Sequence, residues 1–138
     1  MYYKNSKIKE PHLVFVGRWC PLHKGHICIV KSVLTQKKLP ILILVRNTSF
    51  DKISVKKRAK IVKLWMKAEH ISGSVMIIPD IEGIYYGRGV GYDIDEIKPP
   101  ENIKTVSATK IRELIKQNDN SWESLVANGT IKYLRKIL

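Results

Sequence analysis

The 138-residue sequence predicts an α/β fold built on a doubly wound parallel sheet, on three observations. Apolar runs of strand length alternate with stretches of helical periodicity. The run from Ile41 to Val45 is continuously apolar, as suits a parallel strand buried on both faces. A tight turn behind the first apolar run leads directly into a helix. Ligands of such sheets sit at the carboxyl ends of the strands. The turn at Gly17–His26 and the loop at Arg46–Phe50 both fall at such ends.

Residues 1 to 12 are polar and read as a loose arm or a short edge piece. Leu13 to Val16 is the first strand. Lys24 to Leu34 is the first helix, with Ile27, Val30 and Leu34 on one face. Leu39-Pro40 punctuates, and Ile41 to Arg46 is the second strand. A polar loop, Asn47 to Lys52, ends at Ser54, which reads as a helix cap. Val55, Ala59, Val62 and Met66 then recur at helical spacing. Ile71-Ser72-Gly73-Ser74 breaks this helix, and Val75 to Ile78 is the third strand, stopped by Pro79.

Asp80 to Val106 reads less clearly. Gly83, Gly87, Gly89 and Gly91 lie among Tyr85, Tyr86, Arg88 and Tyr92. Ile84–Tyr86 and Gly91–Ile97 are candidate short strands, ended by Pro99-Pro100. The segment reads equally as a loop that wraps a base or ribose and as a hairpin whose glycines only permit turns. The last third is helical: one helix from about Thr109 carries Ile111, Leu114 and Ile115 on its face. A short helical turn follows through Trp122–Val126. A final helix is capped by Thr130, with Ile131, Leu134 and Leu138 aligned.

A chain of this length makes one domain, residues 1–138, with a real core. Its longest uninterrupted apolar run, Ile41–Val45, is far below the roughly 20 residues of a membrane span. Met1–Lys7 lacks the apolar core of a signal peptide. Cys20 and Cys28 have no zinc-ligand pattern around them and read as free thiols of a reducing cytoplasm. The net charge of +13 favours anionic partners. The lysines, however, look scattered, in short pairs such as Lys37-Lys38 and Lys56-Lys57, with no ladder of aromatics between them. Nucleic acid is therefore not the expected partner, and the lysines read as a solvated surface.

The chemistry concentrates in Gly17-Arg18-Trp19-Cys20-Pro21-Leu22-His23-Lys24-Gly25-His26. Unpaired N–H groups and the positive dipole end make a helix N-terminus a phosphate site. Two imidazoles there add donors for charge developing on a phosphoryl group. Ser107-Ala108-Thr109-Lys110-Ile111-Arg112 opens a second helix with Ser107 as cap. Arg112 is uncomfortable so near a helix N-terminus unless an anion joins it.

The first stretch resembles the His-x-Gly-His signature, and the second the Ser-x-Thr-x-x-Arg signature, of the nucleotidyltransferase superfamily. Gly17–His26 is most like the Gly-Arg-Phe-x-Pro-x-His-x-Gly-His turn of small archaeal-type nicotinamide mononucleotide (NMN) adenylyltransferases, with Trp19 in place of Phe. Trp122-Glu123-Ser124-Leu125-Val126 is similar to their ending. The resemblance covers roughly residues 13 to 79 and 105 to 138. It implies a Rossmann-like nucleotidyltransferase fold with C-terminal helices, and transfer of AMP from ATP to NMN. It also implies Mg²⁺ carried with ATP rather than on protein ligands, a cytoplasmic enzyme, and an oligomeric state left open, a homo-oligomer included. By the same resemblance His23, His26 and Arg112 are catalytic, and Gly17, Arg18, Gly25, Ser107 and Thr109 bind ATP. Arg46 at a strand end, with Tyr86 and Arg88, are the candidates for the acceptor. Arg58 matches an arginine frequent in the family, with a surface ion pair as the equal alternative.

The departure lies between Asp80 and Val106, where that family carries a further strand, helix and strand. Two other classes stay open: a cytidylyltransferase making a CDP-alcohol, and a non-enzymatic basic domain that binds nucleic acid.

Overall fold

The computed structural model describes residues 10–49, 52–89, 91–104 and 106–138. The first nine residues of the arm, Phe50 and Asp51 of the loop after the second strand, Val90 and Thr105 lie outside the described residues.

Three strands form one parallel sheet in the order β1 (Leu13–Gly17), β2 (Ile41–Asn47), β3 (Gly73–Pro79). Leu13 pairs with Ile41, and Ile41 with Gly73. Helix α1 (Lys24–Leu34) carries the chain from β1 to β2, and α2 (Val55–Ala68) from β2 to β3, the long crossovers that parallel pairing requires. The expected α/β class with a parallel sheet and flanking helices is the one found. Strand β3 starts two residues before the expected Val75. Ser72 and Gly73 look like turn residues, yet Ile41 N–H donates to Ser72 O at 3.0 Å. Gly73 has φ +150°, and a Cβ there would lie 2.1 Å from Ile41 O, so only glycine fits.

Alternation along the strands sets the core. On β2, Ile41, Ile43 and Val45 are buried, while Leu42 and Leu44 are half-buried. On β1, Leu13 and Phe15 pack on the core, while Val14 and Val16 stay 53% and 36% exposed. Helix α2 starts at Ser54, whose hydroxyl accepts from Lys57 N–H, and buries Ala59, Ile61, Val62, Trp65 and Met66. Trp65 Nε1 donates to Glu69, which also holds Lys31 at 2.6 Å.

Neither Ile84–Tyr86 nor Gly91–Ile97 forms a strand. Ile84, Tyr85, Tyr86, Tyr92 and Ile94 are all at least 60% exposed. Their apolar side chains find no surface to bury, so nothing repays ordering them as strands. A short helix not expected from the sequence, α3 (Glu101–Lys104), follows Pro99-Pro100, and Pro100 O accepts from Ile103 N–H at 2.9 Å.

Helix α4 (Ala108–Lys116) is capped by Ser107, whose hydroxyl accepts from Lys110 N–H at 3.1 Å. The turn read at Trp122–Val126 is a 3₁₀ turn over Asn120–Ser124, with Trp122 buried. Thr130 precedes α5 (Ile131–Ile137) without capping it: its buried hydroxyl donates back to Ala127 O at 2.7 Å. Lys60 of α2 lies 4.8 Å from the centre of the Tyr133 ring on α5. No helix among the described residues is long and apolar enough to cross a membrane.

Candidate functional site

The turn after β1 feeds α1 through His23, the residue that caps the helix. Histidine is not among the usual capping residues, yet a complete capping box forms. His23 Nδ1 accepts from Gly25 N–H at 3.0 Å, and His26 Nδ1 accepts from His23 N–H at 3.2 Å. An accepting Nδ1 carries no proton, so each neutral ring carries its proton on Nε2. Thr48 Oγ1 is the one buried side-chain polar atom without a partner among the described residues. The two Nε2 atoms have no hydrogen-bond partner among the described residues and are not fully buried.

The imidazoles stack with centroids 3.7 Å apart and planes 22° apart. A Cβ on Gly25 would lie 2.8 Å from His23 Cε1, so this glycine supplies room for the ring. Burial lowers the pKa of His23 to about 4. Burial, with a smaller contribution from the charge of His23, lowers that of His26 to about 3. Both rings are neutral hydrogen-bond donors at neutral pH.

Trp19 fixes the other side of His26. Its ring meets the imidazole edge-on, with centroids 4.9 Å apart, and its Nε1 donates to Leu44 O at 3.0 Å. Trp19 has φ +53°, a left-handed conformation that a bulky residue adopts only when its surroundings hold it. Its ring also fills the space over Gly17, where a Cβ would come within 2.8 Å.

Arg112 joins the two motifs. From α4 its Nη1 donates to Cys20 O at 3.2 Å, and its Nη2 to Thr109 Oγ1 at 3.3 Å. Val106 O also lies 3.5 Å from where a Gly25 Cβ would be. The ending closes the frame: Lys24 N–H donates to Leu125 O at 2.9 Å, and His23 bridges to Val126. Ser107, Thr109 and Arg112 are thus brought to the imidazole turn with Gly17 and Gly25.

Beneath the turn lies Arg58, 1% exposed. It is therefore not a surface residue, and its guanidinium reaches the turn from below. Its Nε donates to Ile53 O at 2.9 Å, and its Nη1 to Arg18 O at 2.6 Å and Arg46 O at 2.9 Å. One guanidinium ties the ends of β1 and β2 and the loop before α2. Its spacing before Ile61 and Val62, three and four residues, is the signal that it points inward.

The acceptor candidates are not gathered in the same way. Arg46, at the end of β2, is held by Asp80 at 2.6 Å. Hydrogen bonding to Arg46 foremost lowers the Asp80 pKa, with Arg18 adding to it, so exposed Arg18 lies on this side too. Tyr86 and Arg88 sit in the exposed segment, and no contact joins them to the imidazoles. Sequence reasoning missed the clamp of Arg58, the bridge from Val126 and the unpartnered Thr48 hydroxyl just past β2. No group of three His, Cys, Asp or Glu among the described residues gathers to hold a metal ion. Cys20 and Cys28 are free thiols.

No protein-family model matches the chain. Its sequence is 23% identical to the curated nicotinamide-nucleotide adenylyltransferase of Sulfurisphaera tokodaii, the alignment covering 90% of each chain. It is 26% and 22% identical to those of Pyrobaculum arsenaticum and Pyrobaculum neutrophilum, over 90% of this chain and 87% of each relative. Since 90% of 138 residues is about 124, alignments of 157 to 162 positions leave the relatives about 33 to 38 residues without a counterpart here. Along nine-tenths of its length the chain is similar to archaeal nicotinamide-nucleotide adenylyltransferases, the family that its Gly17–His26 turn and Ser107–Arg112 helix start resemble.

Proposed function

We propose that residues 1–138 form one nucleotidyltransferase domain that moves AMP from ATP to a phosphorylated acceptor, NMN, giving NAD and pyrophosphate in the cytoplasm. The observation that carries this reading is the pair of neutral imidazoles capping α1, tied through Arg112 to the Ser107–Arg112 helix start. The curated relatives supply the acceptor.

In this reading an oxygen of the NMN phosphate attacks the α-phosphorus of ATP in line. One P–O bond forms, the bond to the β-phosphate breaks, and pyrophosphate departs. The attacking oxygen is already anionic, so no general base and no covalent enzyme intermediate are required. The protein's share is placement and charge stabilisation. His23 and His26 donate from Nε2 to oxygens on the α-phosphate. Thr109, Arg112 and the N-terminus of α4 take the β- and γ-phosphates, while Gly17 and Gly25 shape the ATP turn by leaving room for the Trp19 and His23 rings. Arg18 faces the phosphates from the other side. Arg46, released from Asp80, with Arg88 and Tyr86, receives the acceptor. No carboxylate cluster is available for Mg²⁺ among the described residues, so the ion travels on the triphosphate.

The test supplies ATP, Mg²⁺ and NMN, measures pyrophosphate and separates the products by chromatography. CTP with a phosphorylated alcohol runs in parallel. NAD formation is expected; CDP-alcohol with no NAD would overturn the acceptor assignment and keep the phosphate site. No pyrophosphate with any pair would remove the enzymatic reading.

A further inference from the structure

The lysines that look scattered in the sequence are ordered by α2. Lys56, Lys60, Lys63 and Lys67 recur at spacings of four, three and four, and all are exposed. They line a groove of about 490 Å³ beside β3, floored by Ala59, Leu64 and Ile77. The eleven residue steps from Lys56 to Lys67 rise about 16 Å, and neighbours on the stripe stand about 5–6 Å apart. None of the four forms an ion pair among the described residues. The acidic residue at the end of α2, Glu69, is turned toward Lys31 and Trp65. Lys60 rests on Tyr133, which holds α5 against this helix.

We propose that this groove between α2 and β3 holds the sugar–phosphate backbone of a nucleic-acid strand, without regard to base sequence. A row of cations at near-phosphate steps matches a chain of single negative charges, and each contact releases condensed counterions. The recessed apolar floor suits sugar faces. No unengaged aromatic lines the groove, so base stacking and sequence readout are absent. An anionic bilayer is the poorer partner, because membrane-surface helices bury large apolar side chains in the interface. Among the described residues the exposed large apolar side chains lie on β1, in the 84–94 segment and at Leu138, with none on α2. The groove shares no residue with the imidazole turn, and the proposal does not rest on the adenylyltransferase reading.

The test measures fluorescence anisotropy of a labelled 20-nucleotide single-stranded oligonucleotide titrated with the full chain. Excess ATP and Mg²⁺ are present to occupy the phosphate turn. Salt-dependent binding is expected, with a slope of log K against log salt of about −3, four phosphates at about 0.7 each. The triple variant K56Q/K63Q/K67Q should bind at least ten-fold more weakly and lose most of that slope. It should remain folded by circular dichroism, since Gln and Lys have similar helix propensities. The equally neutralised K38Q/K98Q/K116Q should bind within about two-fold of the parent. Equal losses in both variants would reduce the effect to net charge and overturn the site. So would absence of oligonucleotide binding, or sedimentation with phosphatidylserine vesicles in its place.

Discussion

The turn at residues 17–26 and the segment from Asp80 to Pro100 are each rich in aromatic and cationic residues. In the turn, Trp19 and His23 are 5% and 7% exposed. Their polar atoms bond to Leu44 and Gly25, and Arg112 of α4 bonds the neighbouring Cys20 carbonyl. In the segment, Tyr85 and Tyr86 are 87% and 60% exposed. Its ion pairs, Lys37–Asp93 and Arg46–Asp80, lie between exposed or half-exposed partners, where such pairs contribute little. The half of the site assigned to ATP is built before any ligand arrives. The half assigned to the acceptor rests on exposed Tyr86 and Arg88 and on Arg46, which the exposed carboxylate of Asp80 holds. Between the chain and its relatives lie about 33 to 38 residues that have no counterpart here.

The sharpest way to break the built half is to remove its clamp. Arg58→Ala leaves the carbonyls of Arg18, Arg46 and Ile53 without their charged donor. Each such bond is worth roughly 1.5–3 kcal/mol, so a loss of about 3 kcal/mol or more is expected in urea denaturation. Arg58→Lys should recover less than half of it, since an ammonium cannot span three acceptors as a planar fork does. Stability unchanged in the alanine variant would mean that the three loops hold themselves.

His26→Ala should lower turnover by about 10² or more, the usual cost of removing a preorganised donor, in a protein that still folds. Normal turnover in the folded variant would end the catalytic assignment. The same variant tests the titration. Both imidazoles have folded pKa values, about 4 and about 3, below the ordinary 6.5. Between those limits the unfolded chain binds protons that the folded chain refuses. Stability is therefore full above about pH 6.5 and falls as pH drops toward 4. His26→Ala should flatten part of this decline; an identical slope would place its origin elsewhere.

Arg112→Ala should weaken ATP binding about ten-fold while leaving NMN affinity within two-fold, by separate calorimetric titrations. If ATP affinity does not move, Arg112 serves only to hold Cys20 and Thr109. The smallest effect belongs to the open segment. Arg88→Ala should raise the KM for NMN a few-fold without changing stability. A destabilised Arg88→Ala protein would show that the segment is built after all.

Much of this was legible in the sequence because it rests on periodicity. The two long helices and β2 follow from apolar spacing, and α1 begins and ends where that spacing does. The segment at 84–97 misled because alternating Tyr, Gly and Asp imitates a strand, whereas a strand also needs a partner and a face to bury. Ser72 and Gly73 hid the start of β3 behind turn chemistry. At the site, residue types were readable and their duties were not. Arg58 lies in Val55-Lys56-Lys57-Arg58-Ala59-Lys60, which looks like a solvated face until the positions of Ile61 and Val62 are counted. The two histidines could be placed at a helix start. That each would use a ring nitrogen to cap it could not, because imidazole is a rare cap and only the fold sets the ring orientation.

That capping arrangement also determines how the pair meets transition metals. Two histidines three apart on a helix ordinarily offer lone pairs to zinc or nickel. Here the lone pair of each Nδ1 receives a backbone N–H, and the proton on Nε2 blocks the remaining nitrogen. Coordination at Nε2 would require its proton to leave or to move to Nδ1, where it would point at the N–H it now accepts from, undoing the cap of α1. The turn is shielded from adventitious metals by the same bonds that shape it, and the chain should pass through an immobilised-nickel column without retention by His23 or His26.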